Sequence, residues 1–141
     1  MAHKFLNKIG IKSTETCIFN TEEKDVSRNN RFKKQRKKYG FDERETWSMD
    51  YTLACWIYEH FMLYKEINCV DLTFYKFNIP KWNDEILDEK IEVTQEEAIN
   101  LVLEHIEFFL INEDFDREEE ADNRFKYALI IMAEIMPAMW W

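Results

Sequence analysis

Glu59-His60 and Glu104-His105 are the residues in this sequence whose types first suggest chemistry. Imidazole and carboxylate together can bind a metal ion or relay a proton. A carboxylate-bridged metal site in a helical bundle takes a Glu-x-x-His motif from each of two helices, because residues three apart share a face. Here position 57 is Ile and position 102 is Val. Adjacent helical residues point about 100° apart, so neither pair converges easily on one ion, and the histidines are expected at core edges. Ser13, Ser27 and Ser48 lie in no nucleophile elbow. Gly10 and Gly40 stand alone, so no glycine-rich loop is available to cradle a phosphate. Cys17, Cys55 and Cys69 are an odd number without metal-ligand spacing, which fits a reduced intracellular protein better than a disulfide scaffold. No cofactor is implied.

Glu104-x-x-Glu107 and Glu119-x-x-Asp122 place hard oxygen ligands at one-face spacing on two expected helices. The pattern resembles the carboxylate clusters of all-helical nucleotide pyrophosphohydrolases, where magnesium held by such pairs binds a triphosphate. Position 103 is Leu where a further glutamate would complete the first pair, and no basic residue is placed to meet phosphates. The competing reading is a solvated acidic face.

Charge is divided along the chain. Residues 1–40 carry 11 Lys+Arg and 4 Asp+Glu, a balance of +7, and residues 41–141 carry 8 and 24, a balance of −16. That is a basic arm on an acidic body. Arg31, Lys33, Lys34, Arg36, Lys37 and Lys38 make the basic cluster RFKKQRKK. It could hold nucleic acid through phosphates, dock on an acidic protein surface, or form a solvated helix end. It lacks interleaved aromatics for stacking on single strands. In the acidic body, Asp84, Glu85, Asp88, Glu89, Glu92, Glu96, Glu97 and the run from Glu113 to Asp122 could imitate a nucleic-acid backbone in a basic groove. The alternative is an acidic surface kept for solubility.

The elements that would position these residues are helical. Few glycines and prolines, with many long apolar side chains, predict a mainly α fold: a single helical domain of four or five helices over 21–141, with room for one short strand or extended segment near 70–77. Residues 1–20 have little pattern, with Ile11, Cys17, Ile18 and Phe19 available to a short strand. A helix is expected from Thr21, with Glu22, Glu23 and Asp25 in its first turn, towards Lys38 and ending near Gly40. Thr46–Ile67 is apolar in every direction, capped by Thr46 or Ser48, and is expected to be the buried central helix, with Trp47, Leu53, Trp56, Ile57 and Phe61 inside. Pro80 should break the extended segment, leaving 81–93 irregular or a short helix. Thr94-Gln-Glu-Glu97 reads as a capping box opening a helix with Ile99, Val102, Leu103, Ile106, Phe109 and Leu110 inside. A last helix over 121–136 ends at Pro137, leaving Trp140 and Trp141 to pack in their own subunit or against a second copy as a homodimer. No stretch is apolar enough for a membrane span, and the first residues lack a secretory h-region.

YGFDERETWSMDYTLACWIYEHFMLYKE, with its D-x-x-x-T-W-x-x-D signature, TQEEAINLVLEHIEFFL and FKYALIIMAEIMPAMWW together resemble a recurring uncharacterised family of small bacteriophage proteins. The resemblance covers about two thirds of the chain, outside residues 1–39. It departs at Glu59-His60, where those proteins often carry Pro-Arg. It implies a phage origin and an all-helical core, and it supplies no activity.

The function expected is therefore a non-catalytic, phage-encoded protein-binding domain in the host cytoplasm. An inhibitor of a host defence complex, anti-CRISPR-like and working as an acidic nucleic-acid mimic, fits best. Its contacts would be the basic cluster 31–38 and Glu113, Asp114, Asp116, Glu118, Glu119 and Glu120. The alternatives are a magnesium-dependent pyrophosphohydrolase-like enzyme using Glu104, Glu107, Glu119 and Asp122, and an accessory protein binding nucleic acid through residues 31–38.

Overall fold

Helices carry the architecture, as the composition predicts. The computed structural model describes residues 3–12, 24–83 and 89–139. Among these residues the elements are α1 (Lys4–Lys8), α2 (Val26–Tyr39), α3 (Met49–Ile67), α4 (Gln95–Ile111) and α5 (Glu118–Ile135), with one antiparallel strand pair, β1 (Lys76–Pro80) and β2 (Lys90–Thr94). No helix of the described chain is long and apolar enough to cross a membrane. The chain divides into two compact units, Met1–Glu59 and His60–Trp141, the division falling inside α3. The first unit carries 12 Lys+Arg and 9 Asp+Glu, a balance of +3; the second carries 7 and 19, a balance of −12.

In the first unit, α1 occupies part of the segment expected to be weakly structured. It buries Phe5 and Leu6, and the Leu6 amide donates to Glu59 Oε1 at 2.8 Å. The strand suggested around Cys17–Phe19, and the expected helix start at Thr21 with Glu22 and Glu23, lie outside the described residues. α2 begins at Val26. Asp25 is its cap, accepting from the Arg28 amide at 2.8 Å, and not a first-turn residue. Gly40 closes the helix at φ 88°, a left-handed conformation that costs glycine nothing. The link at 41–45 is a 3-10 turn, Glu43–Thr46, capped by Asp42.

The central helix differs from expectation. It starts at Met49. Thr46 is spent earlier, its hydroxyl donating to the Glu43 carbonyl, while the Ser48 carbonyl accepts from the Thr52 amide. Ala54, Ile57, Tyr58 and Phe61 form a buried stripe at helical spacing, but Trp47, Leu53 and Trp56 are 57%, 40% and 37% exposed. Apolar residues all round a helix state how much surface would gain from burial. They do not guarantee neighbours on every side, and the described elements cover one face.

In the second unit α4 packs on α5, and the strand pair packs on both helices. Ile99, Val102, Leu103, Ile106 and Leu110 of α4 are buried, as are Ala128, Ile131, Met132 and Ile135 of α5. The extended segment begins at Lys76, later than the sequence suggests, and Pro80 is its last residue, opposite Lys90. A proline is tolerated at the end of an edge strand because no inner ladder bond is lost. The second strand falls where irregular chain was expected; its alternation, Ile91 and Val93 against Lys90 and Glu92, is only five residues long. Ile86 and Leu87, the apolar residues of that stretch expected to pack inward, lie outside the described residues. Thr94 ends β2 and caps α4 with the full capping box, its amide donating to Glu97 Oε2 at 2.8 Å and the Glu97 amide to Thr94 Oγ1 at 3.2 Å. α5 opens at Glu118, so the acidic run 113–122 both separates α4 from α5 and starts α5; a 3-10 turn at Met136–Ala138, containing Pro137, follows it.

Candidate functional site

The basic cluster of α2 splits by helical phase. Phe32 is fully buried and fixes the inward direction. At about 100° per residue, Arg36 falls close to Phe32, whereas Lys33, Lys34, Lys37 and Lys38 fill an arc of about 140° centred on the opposite side. All four lysines are exposed. The arginines are engaged within the chain. Arg36 and Arg44 both donate to Asp42, which is 3% exposed, and Arg31 donates to Glu43, whose other oxygen accepts from Gln35 at 2.9 Å. Burial pushes the Asp42 carboxyl up, and the hydrogen bonds from Arg44 and Arg36 outweigh it, holding the group below its usual range. The Arg44 guanidinium also lies 4.5 Å from the Phe32 ring centroid. The basic residues named from sequence are thus one helix but two sets: arginines tied to carboxylates and lysines facing water.

The acidic residues split in the same way. Glu113, Asp114, Asp116, Glu118 and Glu119 are exposed at the turn between α4 and α5. Asp114 caps the 3-10 turn, accepting from the Asp116 amide at 3.0 Å. Glu120 behaves differently from the partner-facing role assigned to it. Arg117 and Arg124 both donate to it, and the Arg117 hydrogen bond first, with Arg124 adding, holds its carboxyl below the usual range against desolvation. In the middle of the run sits Phe115, 90% exposed, with Ile111 at the end of α4 49% exposed. Phe115 was overlooked in the sequence reading because the run was weighed by charge alone; one aromatic inside EDFDREEE was the available signal. Asp84, Glu85 and Asp88 lie outside the described residues.

The carboxylates of the magnesium alternative are not brought together. Among the described residues no group of three or more His, Cys, Asp or Glu side chains is gathered to hold a metal ion. Glu104 and Glu119 sit on their helices roughly opposite the buried stripes of α4 and α5, and Glu107 and Asp122 are turned partly the same way. One-face spacing within each helix is present, but that face is not the one the two helices share.

The second unit also holds a polar site within aromatic rings. His105, expected at a core edge, is 3% exposed, with Trp82 and Tyr127 ring centroids at 4.9 and 4.8 Å. Arg124 Nη1 lies 3.3 Å from His105 Nδ1. Arginine only donates, so Nδ1 accepts and the neutral ring carries its proton on Nε2. Desolvation, then the Arg124 charge, lowers the imidazole pKa to about 4. Arg124 lies 4.1 Å from the Phe108 centroid and 5.4 Å from that of Trp82. The Tyr127 hydroxyl donates to the Pro80 carbonyl at 2.6 Å, tying α5 to β1. The arrangement is a packed polar joint: a histidine held neutral against an arginine. His60, by contrast, is exposed.

Comparison of the chain with protein-family models, with curated proteins and with solved structures finds no match.

Proposed function

We propose that the chain is a non-catalytic binding protein of phage origin that seats its acidic turn on a basic surface of a host protein complex, taking the place of nucleic acid and inhibiting that complex. The observation that supports this reading is Phe115, 90% exposed and flanked by Asp114 and Asp116. A single exposed apolar side chain needs no explanation. Its setting does: five exposed carboxylates lie within four residues of one exposed aromatic ring along the chain. Aromatic residues are enriched in protein interfaces, while a charged rim sets orientation and association rate. Glu113, Asp114, Asp116, Glu118 and Glu119 supply the negative rim, and Phe115 supplies the anchor. The phage origin rests on the family resemblance, and the balance of −12 in the second unit is in keeping with a basic target.

The test is capture from bacterial host lysate followed by titration of the captured protein. Phe115→Ala should weaken binding by about thirtyfold, the cost of a typical hot-spot residue. The triple variant Glu113→Gln, Asp116→Asn, Glu119→Gln should slow association and flatten its salt dependence. Both should melt with the parent, because these side chains are exposed. Duplex DNA should compete for the captured protein. Equal capture by parent and Phe115→Ala sinks the anchor, and an absence of competition by DNA sinks the mimicry.

A further inference from the structure

The lysine side of α2 is a second charged surface, on a different helix from the acidic turn and independent of it. Lys33, Lys34, Lys37 and Lys38 are joined on that side by exposed Asn30 and Ser27, in line by helical phase, and no carboxylate falls within the arc. Lys33, Lys34 and Lys37 make no ion pair among the described residues. The carboxylates nearest in sequence, Asp42 and Glu43, are occupied by Arg36, Arg44, Arg31 and Gln35. Sequestering the arginines has a chemical consequence. Arginine's planar fork is one of the groups that read guanine edges, and here it is engaged by carboxylates. What is left facing outward is ammonium groups, hydroxyl and amide, all of which contact phosphates, and a contact to phosphate carries no sequence information.

We infer that this face binds the phosphate backbone of duplex nucleic acid without regard to sequence. Two observations favour a duplex over other polyanions. Lysine is depleted in protein interfaces, whose cores need apolar or aromatic anchors; the lysine arc has no aromatic ring and only Val26, 73% exposed at its N-terminal end, as an apolar side chain, Phe32 being buried and Tyr39 lying on the other side of the helix. Single strands need rings on which bases stack, and the arc offers none. Four phosphate contacts set the expected salt response: log of the binding constant against log of salt should fall with a slope no steeper than about −3.6. The acidic second unit works against the association and makes it weaker than four contacts alone would give.

The experiment is fluorescence anisotropy of the full chain with two labelled duplex DNAs of unrelated sequence, titrated between about 50 and 200 mM salt. The face predicts equal binding to both, with a slope between about −2 and −3.6. Lys33/Lys34/Lys37/Lys38→Gln should fold, because glutamine and lysine have similar helix propensity; circular dichroism checks this. Its slope should approach zero. Lys76/Lys81→Gln, whose lysines already face Glu92 and Glu89, should keep the parent's slope. The inference is overturned by no duplex binding at the lowest salt, by an unchanged slope in the quadruple variant, or by sequence preference between the duplexes. It is equally overturned if a labelled acidic polypeptide binds tighter than the duplexes and depends on the same four lysines. Neither result bears on capture through Phe115.

Discussion

The same device occurs twice in this molecule and does different work. In the first unit one carboxylate, Asp42, lies between Arg36 and Arg44, and Arg44 covers Phe32. In the second, Glu120 lies between Arg117 and Arg124, and both guanidinium groups cover Phe108 at 4.7 and 4.1 Å. The difference is water. Asp42 is 3% exposed and the Arg44 side chain 7%, whereas Glu120 is 29% exposed and Arg117 50%. A charge without a partner in a buried place is costly, so removing one member of the first cluster should matter greatly. In the second cluster solvent stands in for any lost partner. The buried pair therefore anchors the turn that follows α2, and the exposed one trims a helix start whose orientation α5's apolar stripe already sets.

The largest effect should come from Asp42→Asn. It takes the negative charge from Arg44, which stays buried against Phe32. Loss of one partner of a buried pair costs about 3–5 kcal/mol. Thermal and urea melts should show the drop, and the isosteric change leaves no cavity to share the blame. A melt within error of the parent would mean that the Asp42 cluster is as dispensable as an exposed one, and the contrast between the clusters would be lost.

The two clusters were not equally legible in the sequence. Phe32, the one apolar side chain between Arg31 and Lys38, carries the phase of α2, but without knowing that it is buried the sequence groups Arg31 and Arg36 with the four lysines as one basic cluster. The acid that meets those arginines was not legible, because it depends on Gly40 turning the chain back at φ 88° so that Asp42 reaches Arg36. The capping box at Thr94 was readable since it is a local pairing of two side chains with two amides, and so were the α4 and α5 stripes, with many repeats of one period. Burial of Trp47 and Trp56 was misjudged because it depends on neighbours that composition does not count. The partnership of His105 with Arg124 spans nineteen residues between two helices, and nothing local announces it.

The second unit has its own route to instability, through His105. Its ring is neutral in the fold, with a pKa lowered to about 4 from 6.5. Above pH 6.5 both folded and unfolded chains carry the neutral ring, and stability is unaffected. As pH falls from 6.5 towards 4, the unfolded chain takes a proton that the folded chain refuses, so stability is lost through that window. The full shift converts to a little over 3 kcal/mol, and relaxation of the surroundings around a charged ring brings the expected loss to about 2–3 kcal/mol. Asp42 acts lower: its folded pKa lies below 3.8, so its contribution is present above that value and lost as pH falls through the depressed folded pKa. Melts from pH 7 to pH 4 should therefore decline in the parent and stay flatter in His105→Gln, which keeps a polar side chain beside Arg124 without titrating. An NMR titration of the ring checks the assignment directly. A His105 resonance that titrates near 6.5 would remove the second unit's acid sensitivity.

The smallest effect should come from Glu120→Gln. Arg117 reaches both carboxylate oxygens, at 2.9 and 3.1 Å, and Arg124 adds two bonds to Oε1 at 3.2 and 3.1 Å. On a list of contacts this looks the equal of Asp42. Exposure decides otherwise. Water solvates Arg117, 50% exposed, when the charge goes, and the Gln side-chain oxygen still accepts one bond. Phe108 keeps both guanidinium groups in place through ring contact, and Arg124 keeps its bond to His105. The melting temperature should move far less than in Asp42→Asn, and added salt should shrink even that difference, because an exposed pair is screened. One finer consequence distinguishes a loose surface pair from a link in a chain. If Glu120 positions Arg124 against His105, Glu120→Gln should shift the His105 titration even while leaving the melt alone. A melt lowered as much as by Asp42→Asn, and insensitive to salt, would show that burial is not what separates the two clusters.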